Sequence, residues 1–215
     1  MLGPPGAGKG TQATRLARHY NVPKVSTGDI LRESAAAGTA LGLEARARID
    51  QGNLVSDEVA IAIVRERLSR QDVAFGFILD GFPRTVAQAE ALDEMMWGRS
   101  PLTVLHIVVP VDVLVGRLHA RRICGVCGTN ADPTKPDVGV CANCGGALVT
   151  RADDDEQVVR NRLQIYENRT APLVNYYQGR PTLFTIDGNL SPDAVAAAMK
   201  DALASAMGVA QGGAR

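Results

Sequence analysis

Gly3-Pro4-Pro5-Gly6-Ala7-Gly8-Lys9 satisfies the spacing G-x-x-x-x-G-K, a loop whose backbone N–H groups converge on phosphate oxygens where a helix begins. Small residues are needed there because a Cβ would hold the backbone off the anion, and Lys9 adds a mobile positive charge for the outer phosphates. The strict motif continues with Ser or Thr, whose hydroxyl binds Mg²⁺; here Gly10 takes that place and Thr11 follows. A glycine-rich turn without a ligand is the rival reading. The helical pattern beginning at Lys9 argues against it.

A second chemical cluster lies further along. Cys124, Cys127, Cys141 and Cys144 form two C-x-x-C knuckles, each followed by glycine, the spacing of a four-thiolate zinc site. Four protein ligands close the tetrahedron, so such a metal is structural. A flap of about thirty residues buries too little apolar surface to fold alone, and zinc supplies what is missing. Redox cysteines and a disulfide pair are the alternatives, both poorer in a reducing compartment.

These groups need a scaffold. The short apolar runs Phe77 to Leu79, Val104 to Val109 and Leu183 to Ile186 read as buried parallel strands. Helical periodicity marks Lys9 to Tyr20, Glu58 to Arg70, Val111 to Arg122 and Asp155 to Tyr166. The alternation predicts an α/β fold, a parallel sheet with helices on both faces and ligands at the carboxyl ends of its strands. Residues 123–150, rich in Gly, Cys, Pro and Asp, read as an inserted subdomain, and residues 208–215 as a frayed tail. Only Met1 and Leu2 precede Gly3, whereas a strand has about five or six residues. The first strand therefore reads as truncated, with a native start upstream.

At 215 residues the chain suits one domain with insertions. Acidic and basic residues balance at 23 each, so no global field draws in nucleic acid or an anionic membrane. The amino terminus lacks the basic and apolar regions of a secretory signal, and the longest apolar stretch, Leu102 to Val115, is broken by Pro110 and Asp112. A cytoplasmic protein is expected. His19, His106 and His119 lack the spacing of a metal site or a triad; His106 reads as a strand residue and His119 as helix surface. The aromatic residues are scattered, unlike those of a single-strand binder.

GPPGAGKGTQ, STGDILR at 26–32, DGFPRT at 80–85 and RADDDEQVVRNRL at 151–163 occur in this order. Together they resemble the adenylate kinase family, in its zinc-lid branch, along almost the whole chain. The resemblance implies a P-loop nucleoside monophosphate kinase fold with a five-stranded parallel sheet. It further implies a core of residues 1–25, 56–119 and 155–215, a monophosphate-binding segment 26–55 and a zinc-binding lid 120–154. The implied reaction is reversible, Mg²⁺-dependent, direct in-line transfer from ATP to AMP giving two ADP, in the service of adenine nucleotide homeostasis. The implied enzyme is a monomer whose lid excludes water.

By the same resemblance, Gly6, Ala7, Gly8, Lys9, Gly10, Thr11, Arg117 and Arg121 face ATP. Thr27, Arg32, Asn53, Leu54, Val55, Gly81, Phe82, Pro83, Arg84, Gln88, Arg151 and Arg162 face AMP, Gln88 as a partner for adenine. Lys9, Arg84, Arg121, Arg151, Arg162, Asp80 and Asp153 carry the catalysis, with Asp80 holding Mg²⁺ and its waters. Guanidinium groups suit phosphate because each grips it with two hydrogen bonds, and Arg117 and Arg121, four apart on an expected helix, would share a face. Other readings stand beside these: Gln88 as an exposed helix residue, Asp80 as a turn former, single arginines as solvated surface, and the run Asp153 to Glu156 as a helix start.

The insert also departs from that branch. Its loop between knuckles is shorter, and Thr129, Asn130, Ala131 and Asp132 stand where aromatic or histidine residues approach adenine. Lid contacts to adenine are therefore not expected. Phosphorylation of UMP, CMP or GMP is the nearest rival; the long lid and Gln88 favour AMP. A nucleic-acid-binding switch is disfavoured because the insert offers Lys135 against Asp132 and Asp137. An inactive scaffold would have lost one of the key charges, and all are present.

Overall fold

The structure, a computed structural model, describes residues 1–99, 101–131 and 138–212. Its helices are α1 (Lys9–Tyr20), α2 (Thr27–Ala36), α3 (Ala40–Asp50), α4 (Asp57–Leu68), α5 (Val86–Met95), α6 (Val111–Ala120), α7 (Glu156–Ile165), α8 (Pro172–Tyr177) and α9 (Pro192–Gly212). Its strands are β1 (Lys24–Ser26), β2 (Ile78–Asp80), β3 (Val104–Val108), β4 (Ile123–Cys124), β5 (Leu148–Val149) and β6 (Leu183–Asp187).

β1 pairs in parallel with β2, and β3 with β6. Between these pairs stands the amino terminus. Leu2 bridges His106 in parallel, donating its N–H to the Leu105 carbonyl at 2.8 Å and accepting the Ile107 N–H at 2.9 Å. The Met1 amine donates to the Leu79 carbonyl at 3.0 Å. The resulting order, β1, β2, Leu2, β3, β6, has the five parallel tiers expected, with the middle tier reduced to a bridge. The carboxyl ends of β2 and the middle tier thus release Asp80 and the phosphate loop side by side.

Polar caps start the helices that border the site. Ser26 Oγ accepts from the Asp29 N–H, Ser56 Oγ from Val59 and Thr85 Oγ1 from Gln88, each satisfying a donor that the helix itself leaves unpaired. Among the described residues, three apolar clusters pack the elements together: Leu16, Leu105, Ile107, Leu114, Ile186 and Met199 in one, Val25, Val64, Leu79, Phe82 and Leu92 in another, and Leu2, Val104, Leu173 and Tyr177 in the third. Truncating a fully buried member such as Leu16 to alanine costs about 2–5 kcal/mol.

Three expectations need correction. Residues 208–212 are the last part of α9, where a frayed tail was expected; the buried Val195, Met199, Ala202 and Ala206 anchor the turns before them, and residues 213–215 lie outside the described residues. α6 ends at Ala120, and Arg121 follows it with extended backbone, so Arg117 and Arg121 do not share a helical face. The strand β1 and the short helices α2, α3 and α8 were not among the expected elements, and neither was α9, although its buried Val195, Met199, Ala202 and Ala206 recur at helical spacing.

Candidate functional site

Gly8 opens α1 with φ 90°, a left-handed conformation that suits glycine, and the space in front of it is clear. Lys9 folds back over the loop, its Nζ donating to the Gly3 and Pro4 carbonyls at 2.7 and 2.9 Å. Burial pulls its ammonium down to about 7; Asp80 opposes that shift, while Arg84, Arg162 and Arg121 add to it. A Cβ at Gly10 would stand 3.3 Å from Asp80 Oδ2. The departure from Ser or Thr therefore keeps the strand-end carboxylate close to the loop. Gly6 and Ala7 lie in the loop, Ala7 buried, and Thr11 sits in the first turn of α1.

A cleft opens beside this loop. Of the residues assigned to the second nucleotide, Thr27, Arg32, Asn53, Leu54, Val55, Gly81, Pro83, Arg84, Gln88, Arg151 and Arg162 line it, together with Lys9 and Asp153. Phe82 does not; it is fully buried beneath the cleft, in the cluster with Leu79 and Leu92. Arg121 and Asp80 adjoin the cleft without lining it. Arg117 stands half-buried on α6, with no hydrogen bond or ion pair among the described residues.

Two carboxylates organise the arginines. Arg151 binds Asp153 through Nε and an Nη, both at 2.7 Å. Arg162 reaches Asp153 Oδ2 at 3.0 Å and Asp154 Oδ1 at 3.2 Å, and Arg121 binds Asp154 through Nε at 2.7 Å and through an Nη. Burial works against the Asp153 carboxylate, yet the charges of Arg162 and Arg151 outweigh it and hold it below the ordinary range. Burial also brings the Arg162 guanidinium down to about 10. The helix-start reading holds for the other half of the acidic run: Asp155 caps α7, accepting the Gln157 N–H at 3.0 Å. On the far wall, Asp29 accepts from Lys24 at 2.9 Å and pairs with Arg32. Although burial opposes it, hydrogen bonding from Lys24 and the two charges hold Asp29 at about 2.

Gln88 is buried, not exposed. Its Oε1 accepts the Arg84 backbone N–H and its Nε2 donates to Asp57 Oδ1, both at 2.8 Å.

The four cysteine sulfurs lie within 4.8 Å of one another. Cys124 and Cys144 sulfurs are 3.4 Å apart, and those of Cys127 and Cys141 3.7 Å, against about 3.8 Å for thiolates at the corners of a zinc tetrahedron. Backbone N–H groups of Val126 and Cys127 point at Cys124 Sγ and that of Asn143 at Cys141 Sγ, each at 3.4 Å. Thr129 and then Asn143 hold the Cys127 thiol down to about 5. The Gly146 N–H favours the Cys144 thiolate, but the sulfurs of Cys127 and Cys124 outweigh it and push that thiol up to about 12. Thiols so crowded cannot all ionise without a cation between them, and the donor set fits zinc. β4 and β5 pair antiparallel at the base of this insert. Of the segment facing away from the knuckle, Asn130 bridges Ile123 and brings its Nδ2 to 3.8 Å from where a Gly10 Cβ would stand. Asp132, Lys135 and Asp137 lie outside the described residues.

A family model described as adenylate kinase matches residues 1–182. An adenylate kinase of Archaeoglobus fulgidus is 50% identical over 194 residues, which cover 87% of this chain and 89% of its own length. One of Syntrophobacter fumaroxidans is 50% identical over 202 residues, 91% and 94% of the two chains. One of Methanosarcina acetivorans is 47% identical over 210 residues, 95% and 97%. The chain belongs to the adenylate kinase family.

Beyond the motifs by which adenylate kinases are recognised, the cleft has walls that motif reading missed. Ile165 and Tyr166 line it, three and four positions after Arg162 and so on the same helical side, a signal present in the sequence. Burial raises the Tyr166 hydroxyl. Thr170 donates to the Arg84 carbonyl at 2.9 Å. Ile49 and Gly52 close the wall from the end of α3. Asp57 has no sequence signal at all, since its partner Gln88 is 31 positions away.

Proposed function

We propose that this protein transfers the terminal phosphoryl group of MgATP to AMP, reversibly and in line, giving two ADP. The observation that carries this reading is the convergence of Lys9, Arg32, Arg84, Arg151 and Arg162 on one cleft beside the phosphate loop. The transferred group spreads negative charge over its oxygens, and cations fixed in advance stabilise that charge without reorganising. ATP lies along the loop from Gly6 to Thr11, with Lys9 and Arg121 on its outer phosphates and Arg117 at the edge. AMP takes the cleft between Thr27, Arg32, Asn53 to Val55, Gly81 to Arg84 and Gln88, and Arg151 and Arg162 bridge to the transferred group.

Asp80 would hold the Mg²⁺ that accompanies ATP, directly or through water. Asp153 and Asp154 keep the arginines aimed inward. Asp153, the carboxylate that lines the cleft, is taken up by Arg151 and Arg162, and direct transfer between the two nucleotides asks only for positioning and positive charge. Cys124, Cys127, Cys141 and Cys144 would hold a structural zinc that gives the insert its fold. Residues 120–154 then act as a lid over the core of 1–25, 56–119 and 155–215, with 26–55 closing from the other side. Closure excludes water, which would otherwise hydrolyse ATP. No helix among the described residues is long and apolar enough to cross a membrane. We infer a cytoplasmic monomer, a reading supported by the metal-type cysteine pattern and the balanced charge.

ADP formation from MgATP, with AMP, GMP, CMP or UMP supplied separately, tests this reading before and after Lys9→Ala. AMP is expected to be the preferred acceptor, and Lys9→Ala to abolish most of the rate. Failure to phosphorylate any nucleotide, or an unchanged rate in Lys9→Ala, sinks the reading.

A further inference from the structure

Gln88 is 2% exposed, and its amide has no freedom to turn over. Oε1 faces the Arg84 backbone N–H, which can only donate, and Nε2 faces the Asp57 carboxylate, which can only accept. The reversed amide would set NH₂ against N–H and C=O against carboxylate. Each mismatch would leave a buried polar group unpaired. The amide therefore has one orientation, and within it one lone pair on Oε1 and one N–H on Nε2 remain unused. Gln88 lines the cleft, so these are the groups it can offer to a bound base.

We propose that Asp57 is a positioning residue that sets base specificity, locking Gln88 in the orientation that accepts a 6-aminopurine and rejects a 6-oxopurine. The inference rests on the reading of this cleft as the nucleoside monophosphate site. A 6-aminopurine presents an N6–H donor beside the N1 acceptor; a 6-oxopurine presents an O6 acceptor beside an N1–H donor. A free amide serves both edges by rotating half a turn. A locked amide offers its acceptor and donor in one order only, and with the phosphate fixed at the far end of the cleft the base cannot turn to compensate. Discrimination by an unpaired buried polar group is stronger than discrimination by shape, because the wrong ligand leaves groups on both sides unsatisfied. Asp57 is well placed to impose that order. It sits in the first turn of α4, held by the Ser56 cap, and its carboxylate crosses to α5.

Inosine monophosphate tests this directly, because it differs from AMP at that edge alone. Asp57→Asn keeps the size of the side chain but lets residue 57 donate to a reversed Gln88, leaving only the mismatch at the Arg84 N–H. The kcat/KM for inosine monophosphate is expected to rise about tenfold, the worth of one mismatched buried pair, while that for AMP falls by no more than about threefold. A merely structural role would lower both. Should Asp57→Asn fail to fold, Asp57→Ser, whose hydroxyl either donates or accepts, gives the same comparison. Parallel loss for both nucleotides, or an unmoved ratio with AMP still phosphorylated, overturns the lock and leaves the kinase reading intact. If the unmodified protein phosphorylates neither nucleotide, the pocket reading fails first and the lock with it.

Discussion

Asn161 on α7 ties down the turn after α3, its Nδ2 donating to the Gln51 carbonyl at 2.8 Å and reaching Asn53 Oδ1 at 3.3 Å. The segment 26–55 is thereby held against the helix that carries Arg162. A hydrogen bond of this kind contributes a net ~0.5–1.5 kcal/mol, and under the proposed closure of segment 26–55 it favours the arrangement in which that segment lies against α7. Asn161→Ala is expected to raise the KM for AMP about two- to tenfold at that value, with the KM for ATP nearly constant. Steady-state kinetics with each nucleotide varied in turn checks this. Equal increases for both nucleotides would show that the contact does not act through the segment 26–55.

The Asp154 side chain is wholly buried between Arg121 and Arg162, whereas Asp193, paired with Arg15, is 92% exposed. Removing one partner from a buried pair strands the others, at a cost of about 3–5 kcal/mol. An exposed pair is worth ~1 kcal/mol or less. Urea denaturation of Asp154→Asn and Asp193→Asn should separate the two by at least about 2 kcal/mol on those values. Asp154→Asn should also lower kcat, because Arg121 loses its aim. Equal destabilisation by the two substitutions would contradict the organising role given to Asp154.

The zinc-type cluster was the most legible feature in the sequence, because two C-x-x-C knuckles encode their own local geometry. The bounds of α1 were legible for a similar reason: Gly8 and Asn21 both adopt left-handed conformations at its ends, and both residue types mark such positions. Contacts between distant residues left no such trace. β1 has a single strongly apolar residue and exists because Lys24 to Ser26 find Ile78 to Asp80. The extended backbone at Arg121 follows from its pairing with Asp154, 33 positions away; sequence periodicity alone carries the helix on to Arg122. Gln88 was recognisable as a cleft residue, but its burial and its fixed orientation depend on Asp57. Motifs locate groups along the chain, whereas tertiary contacts decide which way they point.

Among the described residues, the insert contributes none to the three apolar clusters of the protein. Its order should therefore depend on the metal and not on the core. Metal analysis is expected to find one zinc per chain. Chelation, or Cys141→Ala, should lower kcat about tenfold or more by disordering the lid. The main thermal transition should move by less than about 4 °C, roughly 1 kcal/mol for a chain of this size. Full activity without zinc, or collapse of the whole fold on chelation, would each refute a lid that is stabilised independently.

Lys9 makes stability depend on pH in a direction opposite to that of a lysine held charged by a partner. Its ammonium titrates at about 7 in the folded protein and at 10.5 when solvated, mainly because burial disfavours the charge. Between these values the unfolded chain holds a proton that the folded chain has released, so stability rises with pH across that window. Below about pH 7 both states are protonated and the contribution is flat at its lowest. Each pH unit inside the window is worth at most ~1.4 kcal/mol, so raising the pH from 7 to 9 should stabilise the nucleotide-free protein by about 2 kcal/mol relative to Lys9→Met. The Met1 amine, drawn down to about 6 from 8.0 by burial, acts in the same sense at lower pH but is common to both proteins. Denaturation curves for the two at pH 7, 8 and 9 isolate the lysine. Parallel pH profiles would show that Lys9 keeps its charge in the empty site; divergence as described would mean that bound phosphate, by restoring the ammonium, takes up a proton as it binds.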